Sequence, residues 1–270
     1  MPRGSASDDL AARELRRVQT AHTLLHFRNP TRRASIANEH GRAVRAVGRT
    51  IDVMFVGHLG AGLAAKRLAP EVELGVLFLA AMWLDALLWV FVLLGLESVH
   101  FPSSLGGGRY LTFTFPYSHG FVASLAWSAI GVGLVRMSGR SLRAGLVVGA
   151  AVFSHFLLDA LVHVAGLPLL GDASYHVGLG LWRHAGPELA VECALGGLGW
   201  WLYCGAPGSA RGVRRWGLAA AVGIAALLTI WGALATAPPP TPAAMAVVSL
   251  LTIGALTALA CWLERGTPAP

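Results

Sequence analysis

Charged residues are scarce in this chain of 270 residues. They make up 13% of the sequence, whereas about 25% is usual in a soluble domain. Together with 55% hydrophobic residues and a mean hydropathy of +0.60, this scarcity argues against a disordered chain and an ordinary soluble enzyme. The three cysteines form no CxxC motif, and the sequence contains no nucleotide-binding loop, nucleophile elbow or haem motif. A disulfide framework and nucleotide-dependent chemistry are therefore not indicated.

The chain contains several long apolar runs with few charged residues. Runs of roughly 18 or more apolar residues are typical of helices that span a bilayer. We predict an all-α fold, a polytopic transmembrane helical bundle of six or seven spans. The candidate spans cover residues 54–65, 74–96, 118–135, 144–165, 187–204, 216–236 and 243–263. The first span is short and rich in glycine, so it is the one that could be tilted or re-entrant.

Basic residues in alternate loops set the predicted orientation, since cytoplasmic loops carry an excess of Lys and Arg. The loops after the first, third, fifth and seventh spans hold Lys66, Arg67, Arg136, Arg140, Arg143, Arg211, Arg214, Arg215 and Arg265. We place these loops in the cytoplasm and expect a multi-pass protein of the inner (cytoplasmic) membrane.

The N-terminal segment conflicts with that orientation. Residues 1–53 hold ten of the 21 basic residues, which would have to cross the membrane. Either the first apolar stretch does not span, or the native chain begins at Met54; we favour the second explanation. The expected organisation is a basic extension (1–53), a membrane-embedded metal-site region (54–205) and a C-terminal pair of apolar spans (206–270). A basic extension can contact anionic lipid, and nucleic-acid binding is not indicated.

Ionisable side chains inside the apolar runs are the main indication of function, because each costs about 2.5–3.5 kcal/mol to place in hydrocarbon. In the fourth span, His155, Asp159 and His163 follow an i, i+4, i+8 spacing that puts them on one helical face. Imidazole and carboxylate are both ligands of zinc and similar metals. Other spans add His58, Asp85 and His119. We predict a metal site between the helices; the alternative is a polar stripe that only packs them together.

The predicted depths of these groups agree with one another. In the orientation given above, they fall in the outer half of the bilayer or near its middle, which predicts a pocket open to the extracytoplasmic side. Glu188 and Glu192, near the start of the fifth span, are candidate ligands or general bases. His184 is a further candidate ligand, and Arg183 beside it could bind a phosphate or carboxylate.

The order of polar residues resembles a known family. The sequence presents His58, then Asp85, then Ser118-His119, then SHFLLDALVH at 154–163. This order resembles that of the bacterial inner-membrane proteins known as membrane-bound metal-dependent hydrolases, from Met54 to about Tyr203. The resemblance implies a hydrolytic activity that depends on these residues.

The same order of ligand types is similar to the zinc-dependent phospholipase C and single-strand nuclease group, which has a trinuclear zinc site. The likeness implies metal ligands at His58, Asp85, His119, His155, Asp159, His163 and, more weakly, His184 with Glu188. The spacings differ, and Pro187 interrupts the last pair. One or two divalent ions, zinc or manganese, are therefore the expectation.

Three functions are compatible with this pattern. The first is a metal-dependent hydrolase of a lipid or phosphoester, with membrane lipids and a small-molecule or lipid substrate as its partners. The second is a proton- or ion-coupled transporter that uses the same polar residues. The third is an assembly protein whose polar residues only pack helices. The sequence specifies no oligomeric state.

Overall fold

The computed structural model describes residues 55–100, 111–234 and 241–265, and the statements below refer to these residues. They contain eight α-helices, which confirms the predicted all-α class. The helices are α1 (Val56–Leu68), α2 (Leu74–Ala81), α3 (Trp83–Leu93), α4 (Phe121–Met137), α5 (Leu142–Val162), α6 (Ala185–Cys204), α7 (Val213–Leu234) and α8 (Pro242–Glu264). The predicted basic extension (1–53) lies outside the described residues, and the division at residue 205 stays a prediction.

Two short pairs of strands lie between the helices. Strands β1 (Ser98–His100) and β2 (Thr112–Thr114) pair antiparallel, and so do β3 (Leu167–Pro168) and β4 (His176–Val177). The first pair lies between α3 and α4 in the sequence, and the second between α5 and α6. Both are therefore next to elements that carry the predicted polar residues.

Fewer described helices can span a membrane than the sequence predicts. Helices α5 and α8 are long and apolar enough, and α2 with α3 would add a third span if the bent pair crosses as one. The prediction of six or seven spans is wrong by this criterion. Helix α1 has 13 residues, so at about 1.5 Å per residue it is much shorter than a hydrocarbon core of about 30 Å. Helix α4, with 17 residues, is also short.

Helices α6 and α7, which match the fifth and sixth predicted spans, are also not among the candidate membrane spans of the described residues. Helix α6 is long enough, but Glu188, Glu192 and several glycines lower its hydropathy. Helix α7 covers most of the predicted span 216–236, whose last two residues lie outside the described part of the chain. The apolar runs therefore located the helices better than they indicated which helices can cross a bilayer.

The second predicted span is broken in the middle. Helices α2 and α3 meet at an angle of 59°, and Met82 between them has φ −101° and ψ 10°, outside the helical range. The break places Asp85 in the first turn of α3 and leaves Ala81 as the last residue of α2. Both residues contribute to the polar cluster described below.

Glycines on α1 and α6 allow these two helices to pack closely against each other. A Cβ atom on Gly60 would collide with the backbone of Leu195, and one on Gly199 would collide with the backbone of Gly60. Such contacts between small residues let helix backbones approach closely. They bring the start of α1, which carries His58, next to Glu192 of α6.

Large apolar side chains are exposed on several helices, and α4 and α8 are two examples. They include Leu125, Ile130 and Leu134 on α4, and Val247, Val248 and Leu251 on α8. Only 22% of the most apolar window of α8 is buried. Exposed apolar surface of this extent requires cover by lipid or by another protein.

A buried ion pair and its hydrogen bonds join four helices near the C-terminal end of α1. The Nζ atom of Lys66 donates to Glu264 Oε2 and to the carbonyl oxygen of Val72, each at 2.8 Å. The backbone N–H of Leu74 also donates to Glu264 Oε2, and the hydroxyl of Tyr203 donates to Oε1. Every one of these contacts pairs a donor with an acceptor, which is the arrangement expected of a structural contact.

Candidate metal centre

Six of the predicted polar residues lie together in the structure. They are His58 of α1, Asp85 of α3, His119 just before α4, His155 and Asp159 of α5, and His163 at the C-terminal end of α5. We call them the His/Asp cluster. Five are buried, and Asp85 is the most accessible, with 13% of its side chain exposed. The structure therefore brings together residues from four separate parts of the sequence.

Four possible metal-ligand atoms, two nitrogens and two oxygens, form the centre of the His/Asp cluster. The Nε2 atoms of His119 and His155 lie 3.2 Å apart. Asp85 Oδ1 lies 3.4 Å from the first and 3.6 Å from the second. Asp159 Oδ2 lies 3.5 Å from each of them. The two nitrogen atoms therefore form a triangle with either carboxylate oxygen, and the triangles share one edge.

The size of these triangles matches a metal coordination sphere. With Zn–N and Zn–O bonds of about 2.0–2.1 Å, neighbouring ligand atoms of a tetrahedral zinc ion lie about 3.3–3.4 Å apart. The edges in the structure measure 3.2–3.6 Å. The residues present thus fit a zinc-sized ion in both spacing and chemistry.

The remaining histidines surround Asp159. His58 Nε2 lies 3.4 Å from Asp159 Oδ1, and the His58 ring stacks on His155 with centroids 3.8 Å apart. His163 Nε2 is 3.8 Å from Asp159 Oδ2, and its ring packs on Trp182. Among the described residues, two groups of ligand atoms lie close enough to hold an ion, within 4.8 Å of one another. They are His58, His155 and Asp159, and Asp85, His119 and His155.

A backbone carbonyl fixes the orientation of His155. Its Nδ1 atom lies 2.8 Å from the carbonyl oxygen of Ala81, at the break between α2 and α3. A carbonyl oxygen can only accept, so Nδ1 carries the hydrogen, and in the neutral ring Nε2 presents a lone pair to the cluster. The broken helix thus contributes to the site through Asp85 and through this carbonyl.

A buried carboxylate that no motif in the sequence indicated supports His119. Glu97 follows the second predicted span and is buried. The backbone N–H groups of Tyr117 and Ser118 donate to its Oε1, both at 2.9 Å. The hydroxyl of Ser118 donates to Oε2 at 2.7 Å and lies 2.8 Å from His119 Nδ1. The only sequence signal for Glu97 was an acid at the end of an apolar run.

The side chain of Glu192, on α6, contacts the N-terminal end of α1. Its carboxylate accepts from the backbone N–H groups of Phe55, Val56 and Gly57 at 2.7, 2.8 and 3.2 Å. Helix α1 has no side-chain cap of its own, so Glu192 satisfies N–H groups that would otherwise lack a partner within the helix. This contact gives Glu192 a structural role next to His58. Its predicted role as a ligand or general base stays a prediction.

The other predicted residues lie at the start of α6. Glu188 is buried in its first turn. Arg183 ends a 3-10 turn (Leu181–Arg183), and His184 follows as the residue before α6; both are exposed. Neither belongs to the two groups of ligand atoms. The structure therefore leaves Arg183 and His184 apart from those groups.

The basic loops lie at the opposite ends of α1 and α5 from the cluster. Arg140, before α5, donates to the carbonyl oxygen of Glu71, which follows α1. Arg136, at the end of α4, donates to the carbonyl oxygen of Arg140. Two loops that the sequence assigns to one side thus meet at one end of the helices.

No protein-family model, curated protein or solved structure matches the chain. The resemblance to membrane-bound metal-dependent hydrolases therefore stays a prediction. The described residues form a helical protein with two or three candidate membrane spans and a buried His/Asp cluster that could hold a metal ion.

Proposed function

We propose that this chain is an integral membrane hydrolase whose His/Asp cluster binds a divalent metal ion, zinc or manganese. One observation carries the proposal. The imidazoles of His119 and His155 face each other through Nε2 at 3.2 Å, with two carboxylates around them. Lone pairs and negative charges at such distances repel unless a proton or a cation lies among them. A divalent cation among these atoms would remove the repulsion.

The membrane location rests on the apolar helices. Helices α5 and α8 are long enough to cross a bilayer, and the outer sides of α4 and α8 expose large apolar side chains. We place the basic loops in the cytoplasm by the excess of Arg and Lys, so the cluster lies toward the extracytoplasmic side of a bacterial inner membrane. A lipid phosphoester is the substrate class that best suits this position.

The proposed reaction assigns parts to four residues of the cluster and to Glu188. A metal ion held there would acidify water to give a nucleophile near neutral pH and would polarise a phosphoryl or acyl oxygen. Asp85, His119, His155 and Asp159 would hold the ion. Asp85 is the most accessible of them, so substrate would approach from its side. Glu188, buried at the start of α6, is the candidate general base.

The proposal is tested by metal content and hydrolysis together. Detergent-purified protein is analysed by mass spectrometry beside the double variant His155→Ala/Asp159→Ala and the matched control Asp172→Ala/His176→Ala, which changes the same residue types outside the cluster. We expect near-stoichiometric zinc or manganese in the wild type and control, and loss from the His155/Asp159 variant. Hydrolysis of phosphodiester and phospholipid substrates should follow the same pattern. A metal-loaded protein that hydrolyses none of them would contradict the reaction but not the site.

The broken helix α2–α3 favours a second candidate, an ion- or proton-coupled transporter. Transporters often bind ions where a membrane helix is interrupted, and Asp85 lies directly after this interruption. Vesicles containing the protein would then take up solute in response to a proton gradient. Asp85→Asn would abolish that uptake, whereas a hydrolase would show no gradient-driven uptake in either form.

A further inference from the structure

The hydrogen bonds around Ser118 have only one consistent direction. Glu97 Oε1 accepts two backbone N–H groups, and Oε2 lies 2.7 Å from the Ser118 hydroxyl. A carboxylate can only accept, so Ser118 uses its single hydroxyl hydrogen there. The Ser118 oxygen then faces His119 Nδ1, 2.8 Å away, with lone pairs alone. Nδ1 must therefore carry a hydrogen.

We infer that Glu97 is a positioning residue which, through Ser118, keeps the hydrogen of His119 on Nδ1 and presents Nε2 to the metal. The three side chains form one buried chain from Glu97 to the cluster, with Ser118 inaccessible to solvent. Groups that hydrogen-bond a ligand histidine fix its tautomer and orientation in this way. The inference rests on the proposed metal site, but its effect on His119 does not require the metal.

Replacing Glu97 by glutamine reverses the chain of hydrogen bonds without removing it. The amide oxygen of the new side chain can still accept from the N–H groups of Tyr117 and Ser118. Its NH₂ group then faces the Ser118 oxygen and donates to it. The Ser118 hydroxyl is free to donate to His119 Nδ1, which drives the imidazole hydrogen to Nε2, the atom that must bind the metal.

The first experiment measures the protonation of His119 in metal-free protein. Nitrogen-15 NMR of histidine-labelled protein in detergent distinguishes a ring nitrogen that carries hydrogen from one that does not. We expect Nδ1 of His119 to carry hydrogen in the wild type and to lose it in Glu97→Gln. The matched control is Glu264→Gln, since Glu264 also is buried and accepts from a backbone N–H and a hydroxyl. It should leave the His119 signals unchanged.

The second experiment measures zinc affinity by competition with a chelator. Loss of such a supporting hydrogen bond typically weakens metal binding about 10–100-fold, and we expect this loss in Glu97→Gln but not in Glu264→Gln. Ser118→Ala, which removes the link itself, should also weaken binding and serves if Glu97→Gln does not fold. Unchanged Nδ1 protonation and unchanged zinc affinity in these variants would overturn the inference. A wild type that binds no zinc overturns the proposed function instead, and the NMR result then still decides the role of Glu97.

Discussion

Two buried polar clusters lie at opposite ends of α1, and they are built on different chemistry. Near its C-terminal end, Lys66 and Glu264 form an ion pair at 2.8 Å in which each neighbouring contact pairs a donor with an acceptor. Near its N-terminal end, His58 belongs to a cluster in which imidazole nitrogens and carboxylate oxygens face each other. The first cluster is complete by itself, whereas the second could hold a metal ion. Burial alone does not distinguish a structural contact from a ligand site; the match of donors to acceptors does.

The largest expected effect is the loss of stability when the Lys66–Glu264 ion pair is broken. Lys66→Ala leaves Glu264 buried without its main charged partner, and breaking a buried pair in this way costs about 3–5 kcal/mol. We expect this loss in the free energy of unfolding measured in detergent, with no change in zinc affinity. The double variant Lys66→Met/Glu264→Leu removes the unpaired charge but should recover only part of the stability, because the N–H of Leu74 and the hydroxyl of Tyr203 lose their acceptor. A cost below about 1 kcal/mol for Lys66→Ala would show that the two clusters are less different than proposed.

Added zinc should stabilise the folded protein through the His/Asp cluster and not through the Lys66–Glu264 ion pair. A ligand at about 100 times its Kd stabilises the folded state by about 2.7 kcal/mol. We expect this gain, read as a higher unfolding temperature, in the wild type and in Glu264→Gln. Asp159→Asn should show no gain, because Asp159 lies within 4 Å of four histidines of the cluster. An equal response of Asp159→Asn and wild type would place zinc elsewhere.

Glu192 tests the difference between the two clusters, because it is a buried acid near the His/Asp cluster whose carboxylate accepts from backbone N–H groups of α1. Glu192→Ala leaves three backbone N–H groups of α1 without their acceptor, which we expect to cost about 1–3 kcal/mol of stability. Zinc affinity should fall much less than in Asp159→Asn. Loss of zinc binding without loss of stability would instead make Glu192 a ligand.

The smallest effect is expected at His184. This histidine is exposed and lies outside both groups of ligand atoms. His184→Ala should therefore leave zinc affinity and unfolding temperature unchanged in a chelator competition and a thermal scan. A tenfold loss of affinity would restore its predicted place among the ligands.

Local spacing in the sequence was sufficient to find much of the cluster. The i, i+4, i+8 pattern of α5 located His155, Asp159 and His163, and single polar residues in apolar runs located His58 and Asp85. Each of these signals depends on one helix at a time. The structure shows in addition that α1, α3 and α5 bring these residues together in one cluster.

Other features depend on contacts between distant residues, which no local pattern contains. Glu192 caps a helix that begins 136 residues earlier in the chain. Glu97 contacts Tyr117 and Ser118 across the segment that includes β1 and β2. The number of spans was overestimated because hydropathy does not detect the break at Met82, and because the first apolar run was counted although it is short.

X-ray absorption spectroscopy of the zinc-loaded, detergent-purified protein tests the metal site most directly. The account predicts a first shell of nitrogen and oxygen alone at about 2.0–2.1 Å, with the outer-shell scattering of imidazole rings and no sulfur. That imidazole scattering should be lost in His155→Ala/Asp159→Ala. A folded wild type that retains no zinc after it is supplied, or a zinc shell with sulfur at about 2.3 Å, would contradict the account.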